Sequence, residues 1–444
     1  MVPVHVIGGG LAGAEAALQV ARAGLPSILH EMRPVRQTPA HHTDRFAELV
    51  CSNSLKSEQE NSAPWLLKEE LRRLGSFLLA AAWRVRVPAG HALTVDRVVF
   101  SEEVSRAVEA SPLIEIRREE VTRVPEEAVV IIATGPLTSD ALAADIARLT
   151  GSQRLFFYDA ISPIVEAESI DMTVAFRASR YGKSMDHSDD YINCPLDKDQ
   201  YERFLDALLD AASVPSHISE DAACYFEACL PIEELARRGR ETLRFGPMKP
   251  MGLADPRTGR RPYAVLQLRQ ENLRADSYNL VGFQNHMRFP EQARVFRLIP
   301  GLGRAEFVRY GQIHRNTYIN APALLEPSLQ LRSHPNVLFA GQISGVEGYV
   351  ESIATGLLAG QHAACLAKGG TPAPPPRETA LGSLCAYISG ADAANYQPAN
   401  ITFDLLPALD EDTRRRFRHD KQARHAEVCR RALAALESYR ECTT

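Results

Sequence analysis

The sequence predicts an α/β fold, a parallel sheet clothed by helices and interrupted by a large α+β insertion. Three features predict it. Residues 4–7 form an apolar run that leads through the glycine-rich turn GGGLAG (8–13) into a helix-patterned stretch at 11–23. Two further apolar runs, 129–133 and 337–340, each end in a glycine turn. Between about 159 and 322 the texture changes to short alternating stretches such as YAVLQL (263–268) and LVGF (280–283), with a helical segment at 199–212.

The first run, VHVI, reads as a strand buried on both faces. Gly8, Gly10 and Gly13 then fit G-x-G-x-x-G between a strand and a helix. Glycines there permit a tight turn, let backbone amides approach a pyrophosphate and allow close packing of helix on strand, while the helix N-terminus favours phosphate charge. Gly24 closes the helix, 27–31 is the next strand, and Glu31 stands at its end, where a ribose hydroxyl needs an acceptor. A dinucleotide site is therefore predicted, with a merely structural glycine turn as the alternative.

The turn at Gly135 and the late stretch FAGQISGVEGY (339–349) before a helix match the second and third segments of a Rossmann-like two-part FAD-binding fold, with a large inserted α+β domain. Simple NAD dehydrogenases lack that return. Gly135, Gly341, Glu347, Gly348 and Tyr349 thus join Gly8, Gly10, Gly13 and Glu31 as predicted cofactor-binding residues. The helix after Gly348 aims its positive end at the flavin pyrimidine edge, where negative charge gathers on reduction. No second G-x-G-x-x-G follows a strand, so NADH or NADPH, as reductant, would bind only transiently. The predicted division is 1–155 for the first part of the FAD-binding domain, 156–325 for the inserted substrate domain, and 326–444 for the second part with a C-terminal basic helix. The proline-rich KGGTPAPPPR (368–377) is a linker.

Composition narrows the classes. A chain of 444 residues exceeds what one hydrophobic core usually serves. With 45% hydrophobic and 24% charged residues, and no apolar run approaching about 18 residues, neither disorder nor a membrane span is supported. The N-terminus lacks signal-peptide features, so a cytoplasmic location is expected. Eight scattered cysteines read as reduced thiols. Cys224 and Cys229 have the spacing of a flavin-coupled disulfide, but that pair belongs soon after the first glycine motif; no metal site is indicated. A formal charge of -5 argues against coating by nucleic acid, yet residues 413–431 hold eight Lys or Arg against Asp420 and Glu427. Such a helix tracks an RNA backbone or is simply a solvated face.

Longer motifs carry a resemblance. MRPVRQTPAHHTDRFAELVCSNSLKS (32–57), FEACLPIEELARRG (226–239), LRFGPMKPMGL (243–253), VLQLRQEN (265–272), YGQIHRNTYINAP (310–322) and AGQISGVEGYVESIATG (340–356) resemble the folate- and FAD-dependent tRNA (uracil-5-)-methyltransferase family, TrmFO. The resemblance runs from residue 2 to about 365 and separates the chain from the related wobble-uridine modifying flavoprotein. It implies methylation of the T-loop uridine of tRNA at carbon 5, with 5,10-methylenetetrahydrofolate giving the carbon and reduced FAD the hydride. It also implies that Cys51 and Cys229 are the two active thiols; we assign Cys229 to addition at carbon 6, and Cys51 then takes the carbon 5 proton or guards the flavin, roles that the sequence alone leaves exchangeable. His314, Arg315, Asn316 and Tyr318 form a polar-aromatic stretch suited to folate or tRNA beside the flavin. Arg244, Lys249 and Arg269 are candidates for phosphate or folate carboxylate. The cofactor motifs by themselves also fit a flavin oxidoreductase or a non-catalytic flavin and RNA binding module.

Overall fold

Six strands form the central sheet in the order Gln330–Leu331, His334–Phe339, Val130–Ile132, Val4–Ile7, Ser27–His30, Ile114–Arg117. All neighbours are parallel except the first pair. Val6 lies level with Leu29 and with Ile131, and these side chains are wholly buried, which explains why the runs show no alternation. The structure, a computed structural model, is described for residues 2–151, 155–185, 188–214 and 230–443.

The helix Leu11–Arg22 is buried from Ala12 to Val20 because a second helix, Tyr349–Ala367, lies along it. Two small residues set their approach: a Cβ on Gly356 would strike the Ala12 backbone, and one on Gly360 would lie 2.6 Å from the Ala16 carbonyl oxygen. Residues about 340 apart in sequence thus complete one layer over the sheet. On this side the chain adds a three-stranded sheet (Ser54–Ser57, Ala92–Val95, Arg86–Val87) and the helix Ala63–Leu74. Ser62 caps that helix and Gly75, in the left-handed region, ends it.

A second six-stranded sheet is built in the order Phe176–Arg177, Ile192–Leu196, Ala264–Gln270, Ser277–Leu280, Ile164–Glu166, Phe307–Arg309, every pairing antiparallel. It packs with the helices Lys198–Leu209 and Phe289–Phe296 around its own apolar core. The other core draws on residues 4–146 and again on 318–436. A two-stranded ladder, Leu155–Ala160 with Ile313–Tyr318, carries the chain out of the first unit and back.

Two buried carboxylates fasten distant helices. Glu15 accepts from the amides of Phe77 and Leu78 and the Ser76 hydroxyl, and Glu70 accepts from the amides of Ala380 and Leu381. Burial pushes the Glu70 carboxyl up to about 8. The C-terminal helix Lys421–Thr443 buries Cys429, Ala432 and Leu436 and is tied by Glu437 to Arg73. No helix among the described residues is long and apolar enough to cross a membrane.

Candidate functional site

A cleft at the carboxyl ends of the central strands encloses about 1020 Å³, part of it open to solvent. Six of the nine predicted cofactor residues line it: Gly8, Gly10, Glu31, Gly135, Gly341 and Tyr349. Gly8 has φ +103°, and a Cβ there would meet the Ala133 carbonyl oxygen at 2.6 Å. Gly10 caps the first helix, and a Cβ on it would meet no protein atom within 4 Å, so its emptiness faces the ligand space. Gly13 is behind the wall: a Cβ would fall on the Gly8 carbonyl oxygen, so this glycine sets helix-to-strand packing.

Gly348 and Glu347 stand at the start of the long helix, outside the lining residues. Gly348 has φ +111°, and a side chain there would collide with the ion pair of Lys56 and buried Glu351 (2.6 Å). Glu347 accepts from the Gln342 side chain at 2.8 Å.

Glu31 is already engaged. Its oxygens accept from the Gly9 amide (2.9 Å) and from the Arg33 amide and guanidinium (2.9–3.2 Å). Burial works to raise this carboxyl, but Arg33 and Gly9 bring it below the ordinary value. A hydroxyl in the cleft therefore shares an oxygen held by Gly9 or Arg33. Arg33, 2% exposed, also reaches Glu48 at 3.1 Å, and His41 lines the same wall. Burial, then the neighbouring Arg33, push the His41 imidazole down to about 4, so it is neutral at physiological pH. Nothing in residue spacing marks Arg33, His41 and Glu48 as neighbours on one wall.

Cys51 is half-buried, in a segment of neither helix nor strand. The wall of the cleft includes its neighbour Val50 and also Tyr349, whose phenol oxygen accepts from the amides of Cys51 (2.9 Å) and Ser52 (3.1 Å). On the carbonyl side Arg97 donates to Leu49 (2.9 Å), and Arg309 donates to Val50 and Cys51 (3.1 Å each). Arg269 reaches the Ser52 hydroxyl at 2.9 Å, and Asn53 donates to the carbonyls of Gln270 and Val95. Arg97 pairs with Glu271 at 2.6 Å. The sequence singled out Arg269 as a candidate for phosphate or folate carboxylate, not for Ser52, and gave no sign of Arg97, Glu271 or Arg309 beside this segment.

Cys229, with Cys224, lies outside the described residues. The strand Ile313–Tyr318 packs beside the turns Gly135–Leu137 and Gln342–Ser344 that border the cleft. The side chains of His314 and Arg315 are outside the described residues as well, while Asn316 and Tyr318 are buried and absent from the cleft lining. Tyr318 donates to the Tyr396 carbonyl at 3.3 Å. Arg244 lies over the Tyr263 ring at 3.6 Å, and Lys249 is exposed.

Comparison with known proteins bears on the family and the fold. The family model described as glucose inhibited division protein A, GIDA, matches residues 3–371. A protein of Solibacter usitatus named methylenetetrahydrofolate-tRNA-(uracil-5-)-methyltransferase TrmFO is 72% identical over 438 residues, 99% of this chain and 98% of its own. One of the same name from Koribacter versatilis is 64% identical, covering 98% of this chain and 97% of its own. Among solved structures, Aquifex aeolicus GidA superposes with a TM-score of 0.67 at 17% identity, covering 99% of this chain and 75% of that one, a likeness of fold.

Proposed function

The chain belongs to the TrmFO family of methylenetetrahydrofolate-tRNA-(uracil-5-)-methyltransferases, and from that premise we propose how its residues divide the work. It methylates carbon 5 of a tRNA uridine, with methylenetetrahydrofolate as one-carbon donor. In our reading the uridine is that of the T loop, the reductant is NADH or NADPH, and the reaction runs in the cytoplasm.

The residues present fit FAD. The amide-rich turn at Gly8 to Gly13, the clearance at Gly10 and the N-terminus of Leu11–Arg22 suit a pyrophosphate, and Glu31 offers oxygens to a ribose. The N-terminus of Tyr349–Ala367 suits a flavin pyrimidine edge. Reduced FAD, when bound, supplies the hydride that turns an exocyclic methylene into the methyl group.

Carbon 5 of uracil is a poor nucleophile until a thiolate adds at carbon 6 and makes the ring an enolate. We assign that addition to Cys229. Carbon 5 then attacks the methylene electrophile and loses its proton to Cys51, tetrahydrofolate departs, and departure of the Cys229 sulfur after reduction restores the ring double bond. His314, Arg315, Asn316 and Tyr318 are assigned to the folate or tRNA side, where the burial of Asn316 and Tyr318 favours a supporting part for those two. Arg414, Arg416, Arg418 and Lys421, all exposed, are assigned to the RNA backbone.

The observation that supports this reading is that Cys51 is held next to Val50 and Tyr349, two residues that line the glycine-lined cleft. The test is methyl incorporation into unmodified tRNA with methylenetetrahydrofolate and NADH or NADPH, with S-adenosylmethionine as the comparison donor. Incorporation with the folate alone, lost in Cys51→Ala and Cys229→Ala, is expected. Full turnover in either variant removes that thiol from the reaction.

A further inference from the structure

Residues 49–52 have no secondary-structure ladder, yet their buried backbone groups need partners. Five of them meet long side chains from distant elements. Three successive carbonyls, of Leu49, Val50 and Cys51, face two guanidinium groups. Two successive amides face one phenol oxygen. Arg309 comes from the strand Phe307–Arg309 of the second sheet, whereas Arg97 opens the helix Arg97–Glu109 of the first unit and pairs across the seam with Glu271.

We infer that Arg309 and Arg97 are positioning residues for Cys51, gripping its carbonyl side so that docking of the inserted sheet against the cleft sets where the thiol stands and what charge surrounds it. The inference rests on the reading of Cys51 as an active thiol.

Charge supports it. Among the described residues, Arg97, Arg269 and Arg309 stand around the segment with the Glu271 carboxylate. Partly buried positive charge in excess is costly unless an anion is to be held there. Burial, and then Arg97, lower Arg309 to about 10, while Cys51 acts to raise both Arg97 and Arg309. The buried Nε groups of Arg269 and Arg309 meet no acceptor among the described residues, so neither guanidinium is arranged for its own satisfaction. A fork is needed for the grip: a guanidinium donates to two adjacent carbonyls at fixed geometry, and a lysine ammonium is a point charge.

The test uses purified flavin-loaded enzyme and reads alkylation of Cys51 by iodoacetamide, peptide by peptide, across about pH 6 to 9. The charged or titratable groups facing the segment among the described residues are Arg97, Arg269, Glu271, Arg309 and Tyr349. Tyr349 is held well above the ordinary phenol by burial and by Cys51, and Arg97 and Arg309 also keep their protons over that range. Arg309→Met is expected to slow Cys51 alkylation at neutral pH about tenfold, a shift of the profile by one unit. Arg309→Lys, which keeps the charge, is expected to hold the parent profile while kcat falls and the KM for tRNA stays. Both variants are checked for flavin content and melting temperature. If Arg309→Met and the parent give the same alkylation profile, including no reaction in either, the inference is overturned. Retained turnover in Cys51→Ala beside slowed alkylation in Arg309→Met overturns the catalytic reading of Cys51 and leaves the grip standing.

Discussion

The cleft at the strand ends and the seam around Cys51 lie side by side but are specified in opposite ways. The cleft is shaped chiefly by backbone: glycines at turns and helix N-termini, with side chains such as Glu31, whose oxygen meets the Gly9 amide, on its walls. Each of its turns, though drawn from distant parts of the chain, is specified locally, because a glycine turn needs only its own strand and helix. The seam is made of long side chains that cross from Arg97, Arg269, Arg309 and Tyr349 to a short stretch around Cys51. Its partners are as much as 298 positions apart. Steric exclusion governs the first, and satisfaction of buried polar groups the second.

The largest expected effect separates two roles within the cleft itself. In Gly13→Ala the new methyl falls on the Gly8 carbonyl oxygen, so the helix must withdraw from the strand. Overpacking of this kind costs about 1–3 kcal/mol, and the purified variant should lack flavin absorbance and melt early. Gly10→Ala meets open space and has φ -74°, so its apo form should melt like the parent while flavin affinity drops. Equal melting of the two variants would erase the distinction between packing and ligand clearance.

Next comes the seam. Tyr349→Phe removes the one oxygen that accepts from Cys51 and Ser52. Two amides lose their partner, at about 1–3 kcal/mol, with the ring still lining the cleft. Denaturant unfolding of the flavin-loaded variant measures the loss, and an unchanged midpoint would mean that water replaces the phenol without cost.

What was legible in the sequence follows the same division. Strands at Val4–Ile7, Ser27–His30 and Val130–Ile132 were readable because a strand buried on both faces is an unbroken apolar run. The helix Lys198–Leu209 was readable from its amphipathic period. The three-stranded sheet at 54–95 was not, since Ser54–Ser57 and Arg86–Val87 are too short to show a period. Cys51 itself came from a long motif, whereas Arg97 and Arg309 look like any surface arginine until folding sets them on carbonyls. Glu31 was read correctly as a strand-end acid, but Arg33 two residues on, which occupies its oxygens, carried no signal.

His41 gives a smaller, pH-dependent contrast. Its folded value near 4 lies below the ordinary value of 6.5, so the unfolded chain takes up the proton first as pH falls. Stability from this ring is present above about pH 6.5 and declines toward about pH 4, below which it changes no further. Discounted for the solvent that reaches a half-buried ring, the loss is about 1 kcal/mol. His41→Asn should flatten that part of the stability curve; an unaltered acid limb would mean the ring titrates normally.

The smallest effect concerns the tail, where neither backbone sterics nor buried satisfaction applies. Arg415 and Arg430 are tied to Glu411 and Glu427, whereas Arg414, Arg416 and Arg418 extend into solvent beside a helix anchored by Cys429 and Leu436. Replacing those three by Gln leaves the anchoring face intact, so melting should not move. If they follow an RNA backbone, tRNA affinity at low salt falls a fewfold. The salt dependence of binding then flattens by roughly 0.9 in log-log slope for each phosphate left without its arginine, were the RNA a duplex like DNA. An unchanged slope assigns these arginines to solvation alone.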